Sequence, residues 1–364
     1  MIYFNNFSAE YDLLKKEIDK SILKVLKKGW YILGKEVEEF EDELSHYIGV
    51  KNCIGVSSGT DAITLSLMAL NIGKGDEVIT TNMTAFPTVV GIIRSGAKPV
   101  LVDIQEEDGL INPSMIEKKI TNKTRAIIPV HLFGQSCDMK KIKEIAILNN
   151  LEIIEDCAQS LGAEYDGDQT GTFGACGAFS FYPTKNLGAI GDAGAVVTNN
   201  AEIYNKLKMM RNYGQKTRYK HDIVGINSRL DEIQAAILRV KLNHANSFIE
   251  KRKEIAMFYR NNIDKKSYLK QLRVNNYGKH SYHLFVLKCE DRDDLLSYLS
   301  SKNIQALIHY PIPVNEQKAF PFQKNENFPN TVKFSKSVLS IPIHNYLKKK
   351  EVEKIANTIN NFSI

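Results

Sequence analysis

Apolar residues follow two different periods along this chain, and the first period is helical. Between residues 10 and 48 they recur at intervals of three and four, as in Leu14, Ile18, Ile22 and Val25. This spacing places them on one face of a helix, and Gly29 interrupts the pattern. The segment Glu36–Leu44 is again amphipathic, with an acidic polar face. The N-terminal region is therefore predicted to form two helices.

From about residue 51 the pattern changes to short apolar runs separated by helical segments. The runs typical of buried strands are 53–57, 77–81, 99–104, 125–131, 151–155, 178–182 and 194–198. The helices predicted between them are 62–70, 88–95 and 139–149. Such an alternation indicates an α/β architecture with a mostly parallel sheet that helices cover on both faces. Ligands of these sheets bind at the carboxyl ends of the strands.

The chain beyond Ser228 is strongly helical. The apolar spacing of Glu232–Leu242 continues towards Tyr259, and we place a hinge inside this long segment, near residue 245. After it the pattern predicts a strand at 283–287 and helices near 291–302 and 349–361. We therefore expect two domains: a large α/β domain at 1–245, which includes the N-terminal helices, and a smaller C-terminal α+β domain at 246–364.

The composition narrows the class of protein. With 43% hydrophobic and 25% charged residues, the 364-residue chain is typical of a globular protein. It has neither an apolar run long enough to span a membrane nor a signal peptide. The five cysteines form no C-x-x-C pair, so neither a metal site nor a disulfide framework is expected, and a cytoplasmic location fits best. The net charge of +6 is spread along the chain, which suits an anionic small molecule as well as a nucleic acid.

The strongest chemical signal is a glycine-rich stretch with one lysine, from Gly174 to Gly194. Its apolar run ends at Pro183, and Lys185 follows in a loop whose glycines allow a ligand to approach closely. Burial disfavours the charged form of a lysine, and a neutral amine can attack a carbonyl to form a Schiff base. We expect Lys185 to anchor pyridoxal phosphate (PLP) covalently. The alternative is a lysine that only solvates the surface.

PLP also requires a phosphate cradle and an acid at its pyridine nitrogen. Ser57–Asp61 lies between a predicted strand and a predicted helix, where backbone N–H groups and the helix dipole bind phosphate. Ser180 offers a further hydroxyl, whereas Asp156 ends an apolar strand and Gln159 lies three residues beyond it. The alternative for Ser57–Asp61 is ordinary helix capping, and the alternative for Asp156 is a structural carboxylate.

These features occur together in a known pattern. The sequence resembles the sugar-nucleotide aminotransferases of the DegT/DnrJ/EryC family. The matching segments, in order, are Gly59–Ala62, Gly75–Ile79, Pro129–Gln135, Ile154–Gln159, Phe179–Gly188, Gly191–Gly194 and Gly225–Ala236. The resemblance covers about residues 30 to 245 and implies the aspartate-aminotransferase-like fold (fold type I of PLP-dependent transferases), with a seven-stranded sheet. It also implies a homodimer whose active sites lie at the subunit interface.

The resemblance assigns a role to each candidate residue. Lys185 is the Schiff-base lysine and the base that moves the substrate proton, and Asp156 pairs with the pyridine nitrogen. Gln159 lies beside the phenolic oxygen. The phosphate is held by Ser58, Gly59, Thr60 and Ser180, with Asn227 from the partner subunit. From its own sequence context alone, Asn227 would be a turn residue before a helix.

One position departs from the family pattern. An aromatic residue usually follows the threonine at the position of Thr84 and stacks on the PLP ring. Here Ala85 stands at that place, with Phe86 and Pro87 after it. Either the turn brings Phe86 onto the ring or another group covers the ring.

The segment His309-Tyr310-Pro311 bears on the substrate. It is similar to that of family members that aminate C3 of dTDP-linked 6-deoxy-keto-hexoses, although such a pair is often mere packing. The resemblance implies that Tyr182, His309 and Tyr310 line a sugar pocket. The expected reaction moves the amino group of L-glutamate, through the pyridoxamine phosphate form, to C3 of a dTDP-3-keto-6-deoxyhexose. The product would be a dTDP-3-amino-3,6-dideoxyhexose for glycan or glycoside biosynthesis.

Three alternatives stay open. The first is a C4 aminotransferase that acts on a UDP-, GDP- or dTDP-4-keto sugar. The second is a PLP-dependent sugar dehydratase; those relatives have histidine at the lysine position, and Lys185 argues against this reading. The third is a non-catalytic sugar-sensing or nucleic-acid-binding protein. The complete set of lysine, carboxylate and glycines argues against it, and so does the lack of a basic recognition helix in the sequence pattern.

Overall fold

Two helices begin the chain, as the apolar spacing predicts. In the computed structural model, which describes residues 1–363, they are α1 (Phe7–Lys28) and α2 (Lys35–Ile48). Asn6 begins α1, since its side chain accepts a hydrogen bond from the backbone N–H of Ala9. Both helices turn an apolar face towards a later helix, Glu232–Asn243. They therefore cover one side of the molecule instead of standing apart.

Strands and helices then alternate through residue 198. In chain order they are β1 (Asn52–Val56), α3 (Gly59–Ala69), β2 (Glu77–Thr81), α4 (Pro87–Arg94), β3 (Lys98–Val102), α5 (Pro113–Ile116), β4 (Thr124–Ile128), α6 (Met139–Leu148), β5 (Glu152–Asp156), β6 (Glu164–Tyr165), β7 (Asp168–Gln169), β8 (Cys176–Ser180) and β9 (Gly194–Thr198). Short 3₁₀ helices follow α5 at Glu117–Lys119 and β4 at Leu132–Gly134. Each of the seven predicted strands is present within a few residues of its expected bounds.

Seven of these strands form one sheet in the order β1-β9-β8-β5-β4-β2-β3. All neighbouring pairs are parallel except those that involve β9, which runs antiparallel to both β1 and β8. The prediction of a mostly parallel seven-stranded sheet is confirmed. Apolar clusters pack on both faces of the sheet. Because β5 and β8 are parallel neighbours, with Asp156 paired to Ala178, their carboxyl ends meet at one edge.

The predicted strand at 178–182 lies two residues too far along the chain, because β8 ends at Ser180. Phe181 and Tyr182 belong to the following loop. Their side chains separate there: Phe181 is buried, whereas 53% of Tyr182 is exposed. The aromatic run therefore reflects burial of a loop residue as well as strand formation.

The rest of the chain is mainly helical and carries a second, smaller sheet. Its elements are α7 (Ala201–Met210), β10 (Gln215–Thr217), β11 (Lys220–His221), α8 (Glu232–Asn243), α9 (Ala245–Asn262), β12 (Leu269–Gln271), β13 (Phe285–Cys289), α10 (Arg292–Ser301), a 3₁₀ helix at Val314–Glu316, α11 (Pro329–Ser337), β14 (Val338–Ile341) and α12 (Lys349–Asn360). Strands β12, β13 and β14 form an antiparallel sheet. It packs with α9, α10 and α12 around a separate apolar cluster.

The long helical segment breaks at His244, between α8 and α9. This break lies beside the hinge expected near residue 245, and the division into domains at 1–245 and 246–364 stays a prediction. The first residues of the chain pack with the C-terminal part: Ile2 is buried in its apolar cluster, and the N–H of Ile2 donates to the carbonyl of Asn303 at 2.7 Å. In the described residues no helix has both the length and the apolar character needed to cross a membrane.

Candidate active site

Lys185 lies in the loop that follows β8. Its backbone N–H donates to the carbonyl of Tyr182 at 2.8 Å, which forms a tight turn. The residue is half-buried, and loss of hydration lowers the pKa of its amine to about 8, an effect that the carboxylate of Asp156 opposes. An appreciable fraction of this amine is therefore neutral near physiological pH. A neutral, positioned amine is a competent nucleophile and base.

Asp156 is the last residue of β5, the strand next to β8, and its side chain is buried. The hydroxyl of Thr88 donates to Oδ2 at 2.8 Å and the N–H of Ala158 donates to Oδ1 at 3.1 Å. Burial raises the pKa of this carboxyl group, while the Thr88 hydrogen bond and the charge of Lys185 act in the opposite direction. The carboxylate is thus held in one orientation, with a lysine amine near enough to influence its titration.

The N-terminus of α3 forms a cradle of small groups. The hydroxyl of Ser58 accepts a hydrogen bond from the N–H of Asp61 at 3.1 Å, so the predicted cap is present. A Cβ on Gly59 would lie 2.7 Å from the Cβ of Ser180, and a Cβ on Gly194 would lie 2.4 Å from the carbonyl carbon of Ser58. Only glycine fits this approach of backbone to side chain. Thr60 follows in the first turn, where helix N–H groups are unpaired.

Gln159 joins the sheet edge to the segment around residue 310. Its Nε2 donates to the hydroxyl of Tyr310 at 2.9 Å, and its Oε1 accepts from the N–H of Phe133 at 2.7 Å. Burial raises the pKa of Tyr310. The amide group has a second N–H, which leaves one donor for a ligand. The structure therefore brings Tyr310 against the cluster of Lys185, Asp156 and Gln159.

His309 lies beside Tyr310 and is held by the hydroxyl of Ser340, 2.9 Å from its Nδ1. Burial lowers the pKa of His309 to about 4, and the charge of Lys185 adds to this effect. The imidazole is therefore neutral at pH 7. His309 and Thr184, the residue before Lys185, line one cavity, so His309 lies near the Lys185 loop.

Two of the predicted residues lie at the surface of the single chain. Tyr182 is more than half exposed, and Asn227 is exposed in the segment before α8. Neither side chain makes a hydrogen bond to Lys185, Asp156 or Gln159 in the described part of the chain.

The Phe86 side chain is partly buried in apolar packing and is not free to cover the site. It packs against an apolar cluster that includes Val89, Val314 and Phe320. Of the two possibilities for covering the PLP ring, this packing favours a group other than Phe86.

Three potential metal ligands, His131, Glu155 and Cys157, lie close together behind Asp156. Their hydrogen bonds show a structural role. Glu155 accepts from the N–H groups of Gly171, Phe173 and Gly174 and contacts His131 Nε2 at 3.0 Å. The carboxylate oxygens are therefore already occupied by donors that orient the loop before β8.

Sequence reasoning missed Thr88, which orients Asp156. Its hydroxyl is also 2.8 Å from that of Thr84, so the two threonines form a chain that ends on the carboxylate. Thr84 lies before α4 and Thr88 lies in its first turn, so helical spacing does not relate the two positions. What the sequence did not reveal is that the N-terminus of α4 meets the end of β5.

The geometry and the comparison with protein families agree. Residues 12–360 match the DegT/DnrJ/EryC1/StrS aminotransferase family. The chain belongs to this family. It is an aminotransferase, as the arrangement of lysine, aspartate and glycine cradle predicts.

Individual relatives cover nearly the whole chain. A dTDP-3-amino-3,6-dideoxy-alpha-D-galactopyranose transaminase from Aneurinibacillus thermoaerophilus is 45% identical over 96% of this chain and 96% of its own length. Among solved structures, S. venezuelae DesV in complex with a ketimine intermediate superposes with a TM-score of 0.96 at 39% identity, covering 99% of this chain and 97% of its own. Other relatives are named for UDP- or GDP-linked sugars, and two carry the names of regulatory or sensory proteins.

PLP is the cofactor of this family, and the residues described above fit it. NtdA from Bacillus subtilis, solved with bound cofactor PMP, has a TM-score of 0.89 and 31% identity to this chain, over 94% of this chain and 80% of its own. At the N-terminus of α3, Gly59 and Gly194 allow a close approach of backbone and side chain, and the unpaired N–H groups of the first turn are donors of the kind that bind phosphate. Asp156 supplies a buried acceptor for a ring N–H, and Lys185 supplies an amine. The fold and the enzyme class expected from the sequence are confirmed.

Proposed function

We propose that this aminotransferase transfers the amino group of L-glutamate to C3 of a dTDP-3-keto-6-deoxyhexose, and that Lys185 holds the cofactor. The observation that carries the proposal is the pair formed by Lys185 and Asp156. A desolvated amine with a pKa near 8 lies opposite a buried, oriented carboxylate at the edge of a parallel sheet. When bound, PLP supplies an electron sink that stabilises negative charge at the substrate carbon.

The remaining residues bind and orient the cofactor. Ser58, Gly59, Thr60 and Ser180 hold the phosphate through the N-terminus of α3 and two hydroxyls. Asp156 would accept the ring N–H and so favour a protonated ring nitrogen, and Thr88 holds the carboxylate in place. Gln159 would have one N–H left for the phenolic oxygen, since Tyr310 and Phe133 bind the rest of the amide.

Lys185 also moves protons in both halves of the reaction. Its neutral amine would take the proton from the α carbon of the amino donor, which becomes a keto carbon, and in the other half of the reaction its ammonium form would give a proton to the sugar carbon that receives the amino group. The lowered pKa suits this task, because a base near the working pH can both accept and release a proton.

The substrate assignment rests on likeness and on the position of three residues. Tyr182, His309 and Tyr310 lie at or beside the Lys185 cluster and would line the sugar pocket. The 45%-identical relative is named for a dTDP-3-amino-3,6-dideoxy sugar, which supports C3 and dTDP. Relatives named for UDP and GDP sugars make the nucleotide and the ring carbon the first points to test.

We propose a homodimer in which Asn227 completes the phosphate site of the partner subunit. Its exposure on the single chain supports this role, and so do exposed apolar side chains on the same surface region, such as Val224 at 82%. The reducing cytoplasm remains the compartment in which we place the enzyme; all five cysteines are buried free thiols.

A panel of keto sugars tests the function. Purified enzyme with L-glutamate is mixed with dTDP- and UDP-linked 3-keto and 4-keto hexoses, and 2-oxoglutarate formation is measured. We expect turnover of the dTDP-3-keto-6-deoxyhexose at least about tenfold faster than of any 4-keto sugar. Turnover of a 4-keto sugar alone would replace the substrate assignment, and elimination of water without amino transfer would indicate a dehydratase.

Lys185→Ala tests the anchor. In the native enzyme, borohydride should fix the cofactor to Lys185, and the Ala variant should neither retain cofactor covalently nor transfer amino groups. A labelled peptide at another lysine would contradict the assignment. Transfer-free binding of a sugar nucleotide by the native enzyme would instead favour the sensory role that two relatives' names suggest.

A further inference from the structure

Two buried asparagines join the end of β2 to the segment that carries Tyr310. Asn82 directly follows β2, and Asn315 lies in the 3₁₀ helix Val314–Glu316. The Nδ2 of Asn82 donates to the Oδ1 of Asn315 at 2.8 Å, and the N–H of Asn315 donates to the Oδ1 of Asn82 at 2.9 Å. The N–H of Val314 donates to the carbonyl of Asn82 at 3.1 Å. The two segments, far apart in the sequence, are therefore joined by several hydrogen bonds.

These hydrogen bonds fix the orientation of the Asn82 amide. A backbone N–H can only donate, so the atom of Asn82 that faces the N–H of Asn315 is the oxygen, and the nitrogen faces the Asn315 side chain. Both residues are buried, and a buried amide is costly unless its groups are hydrogen-bonded. Two apolar side chains of similar shape can replace such a pair at little cost in stability. What the asparagines add is one defined position of the two segments.

On the side of the cofactor residues, Asn82 belongs to the segment that orients Asp156. Thr84 lies two residues after Asn82, and its hydroxyl is 2.8 Å from that of Thr88, which donates to the Asp156 carboxylate. The N–H of Asn82 donates to the carbonyl of Val102, at the end of β3, at 2.9 Å. Asn82 is thus attached to the sheet close to the residues that would hold the cofactor ring.

On the other side, the chain between Asn315 and Tyr310 is stiff. Pro311 and Pro313 each have a fixed φ angle. Tyr310 and Ile312 each precede a proline, which restricts their backbone to extended conformations. A displacement at Asn315 is therefore passed on to Tyr310, because the residues between them have little freedom to absorb it.

We propose that the Asn82–Asn315 pair holds the segment 309–313 against the cofactor residues and thereby sets the affinity for the keto sugar. The inference rests on the proposed function, in which His309 and Tyr310 line the sugar pocket. The hydroxyl of Tyr310 accepts from Gln159 at 2.9 Å, so the segment also contacts the cofactor side directly. Both asparagines are positioning residues that act through Tyr310 and His309. The half-reaction of the amino acid, which has no sugar ring to place, should depend on the pair much less.

Asn315→Leu and Asn82→Leu test the pair, since leucine fills a similar volume without hydrogen bonds. In single half-reactions we expect the keto-sugar concentration for half-maximal conversion to rise about tenfold or more, because a small misplacement of a binding group is costly. The corresponding value for L-glutamate should stay close to that of the native enzyme. The double variant should lose no more than the worse single variant, because each change removes the same pair. Asn315→Asp keeps an oxygen that accepts from Asn82 and should retain the native affinity.

Tyr310 provides a readout that does not need turnover. In protein labelled with fluorotyrosine, the fluorine resonance that Tyr310→Phe removes belongs to Tyr310. It should move in both leucine variants and stay in place in Asn315→Asp. Asn360→Leu is the matched control: the Asn360 amide donates to the carbonyl of Asn262 at 2.8 Å and accepts from the N–H of Asp264 at 2.9 Å. Its loss should lower the melting temperature without changing the resonance or either half-reaction.

The outcomes separate this inference from the proposed function. Unchanged keto-sugar affinity in both leucine variants overturns the inference, whether or not the Tyr310 resonance moves. Equal losses in both half-reactions, with a parallel fall in melting temperature, make the pair a purely structural contact and overturn it as well. If the native enzyme converts no keto sugar, the proposed function fails and the resonance still tests the pair. A moved signal then supports its placement of Tyr310, and an unmoved signal overturns it.

Discussion

At the scale of single residues, two groups of opposite charge share one edge of the sheet. Burial shifts both pKa values towards the neutral forms: down to about 8 for Lys185 and upwards for Asp156. Each also moderates the other, because the neighbouring opposite charge favours ionisation. Thr88 favours the ionised form of Asp156, because its hydroxyl donates a hydrogen bond to the carboxylate at 2.8 Å. The chemistry of the site therefore depends on a few neighbours that are distant in the sequence.

Thr88→Val should weaken cofactor binding by about tenfold or more, because a hydrogen bond to a charged group contributes about 1.5–3 kcal/mol. Without the donated hydrogen bond, the pKa of Asp156 rises further and the carboxylate can rotate. Titration of cofactor-free enzyme with PLP, followed by absorbance, measures the affinity. Thr88→Ser keeps the hydroxyl and should bind nearly as the native enzyme does. Unchanged affinity in Thr88→Val would remove Thr88 from the positioning of Asp156.

The rate at which cofactor-free enzyme captures PLP covalently should rise with pH through a midpoint near 8. The sign follows from Lys185: below its pKa the amine is protonated and cannot attack, and above it the amine is neutral. Stopped-flow absorbance at several pH values measures this rate. A midpoint near the ordinary value of about 10.4 would show that the amine is fully solvated.

At the scale of elements, α8 supports the loop that carries Lys185. The Nζ of Lys241 on α8 donates to the carbonyl of Gly188 at 2.7 Å and pairs with Glu10 of α1. On the other side, Asn186 donates to the carbonyl of Ser281 at 3.2 Å. Both ends of the loop are therefore attached to elements outside the main sheet. A loop held in this way can present a flexible side chain from a fixed backbone.

Lys241→Met should lower the free energy of unfolding by about 3 kcal/mol, because it leaves a buried carbonyl and the Glu10 carboxylate without their partner. Chemical denaturation of the cofactor-free protein measures the loss. Lys251→Met is the control: Lys251 pairs with Glu254 on the surface of α9, and such pairs contribute about 0–1 kcal/mol. Similar losses in both variants would mean that Lys241 behaves as a surface lysine.

At the scale of the whole molecule, the single chain exposes several large apolar side chains. Asn227 is exposed, and the aromatic or aliphatic side chains of Trp30, Ile190 and Val224 are more than half exposed. A contiguous patch of such groups commonly marks an interface. A symmetric dimer would bury them and place Asn227 of each chain at the other's phosphate site.

Mixing inactive Lys185→Ala and Asn227→Ala chains should restore activity if Asn227 acts in the partner's site. The two homodimers have two defective sites each, whereas a mixed dimer has one site with both residues intact. Random exchange makes half of the dimers mixed, so about a quarter of native activity should return. Assay after a cycle of dissociation and reassociation measures it. No recovery, with mixed dimers shown by mass, would place Asn227 in its own chain's site.

Much of the fold and of the candidate site could be predicted from the spacing of apolar residues along the chain. Strand and helix periods depend on which face of each element is buried, so the seven strands and the break near residue 245 are visible without coordinates. The spacing of Lys185, Asp156 and Ser58 after strands placed them at one sheet edge, because parallel strands end together. Boundaries such as the end of β8 were less accurate, since a buried loop residue such as Phe181 has the same apolar character as a strand residue.

The sequence by itself thus determined the sheet, the family and the set of residues at its edge. Only the tertiary structure decided what those residues touch: Thr88 contacts Asp156, and Tyr310 contacts Gln159. The physical reason is the distance along the chain over which each effect acts. Periodicity records burial within one element, whereas hydrogen bonds, desolvation and unpaired charge depend on contacts between elements far apart in the chain.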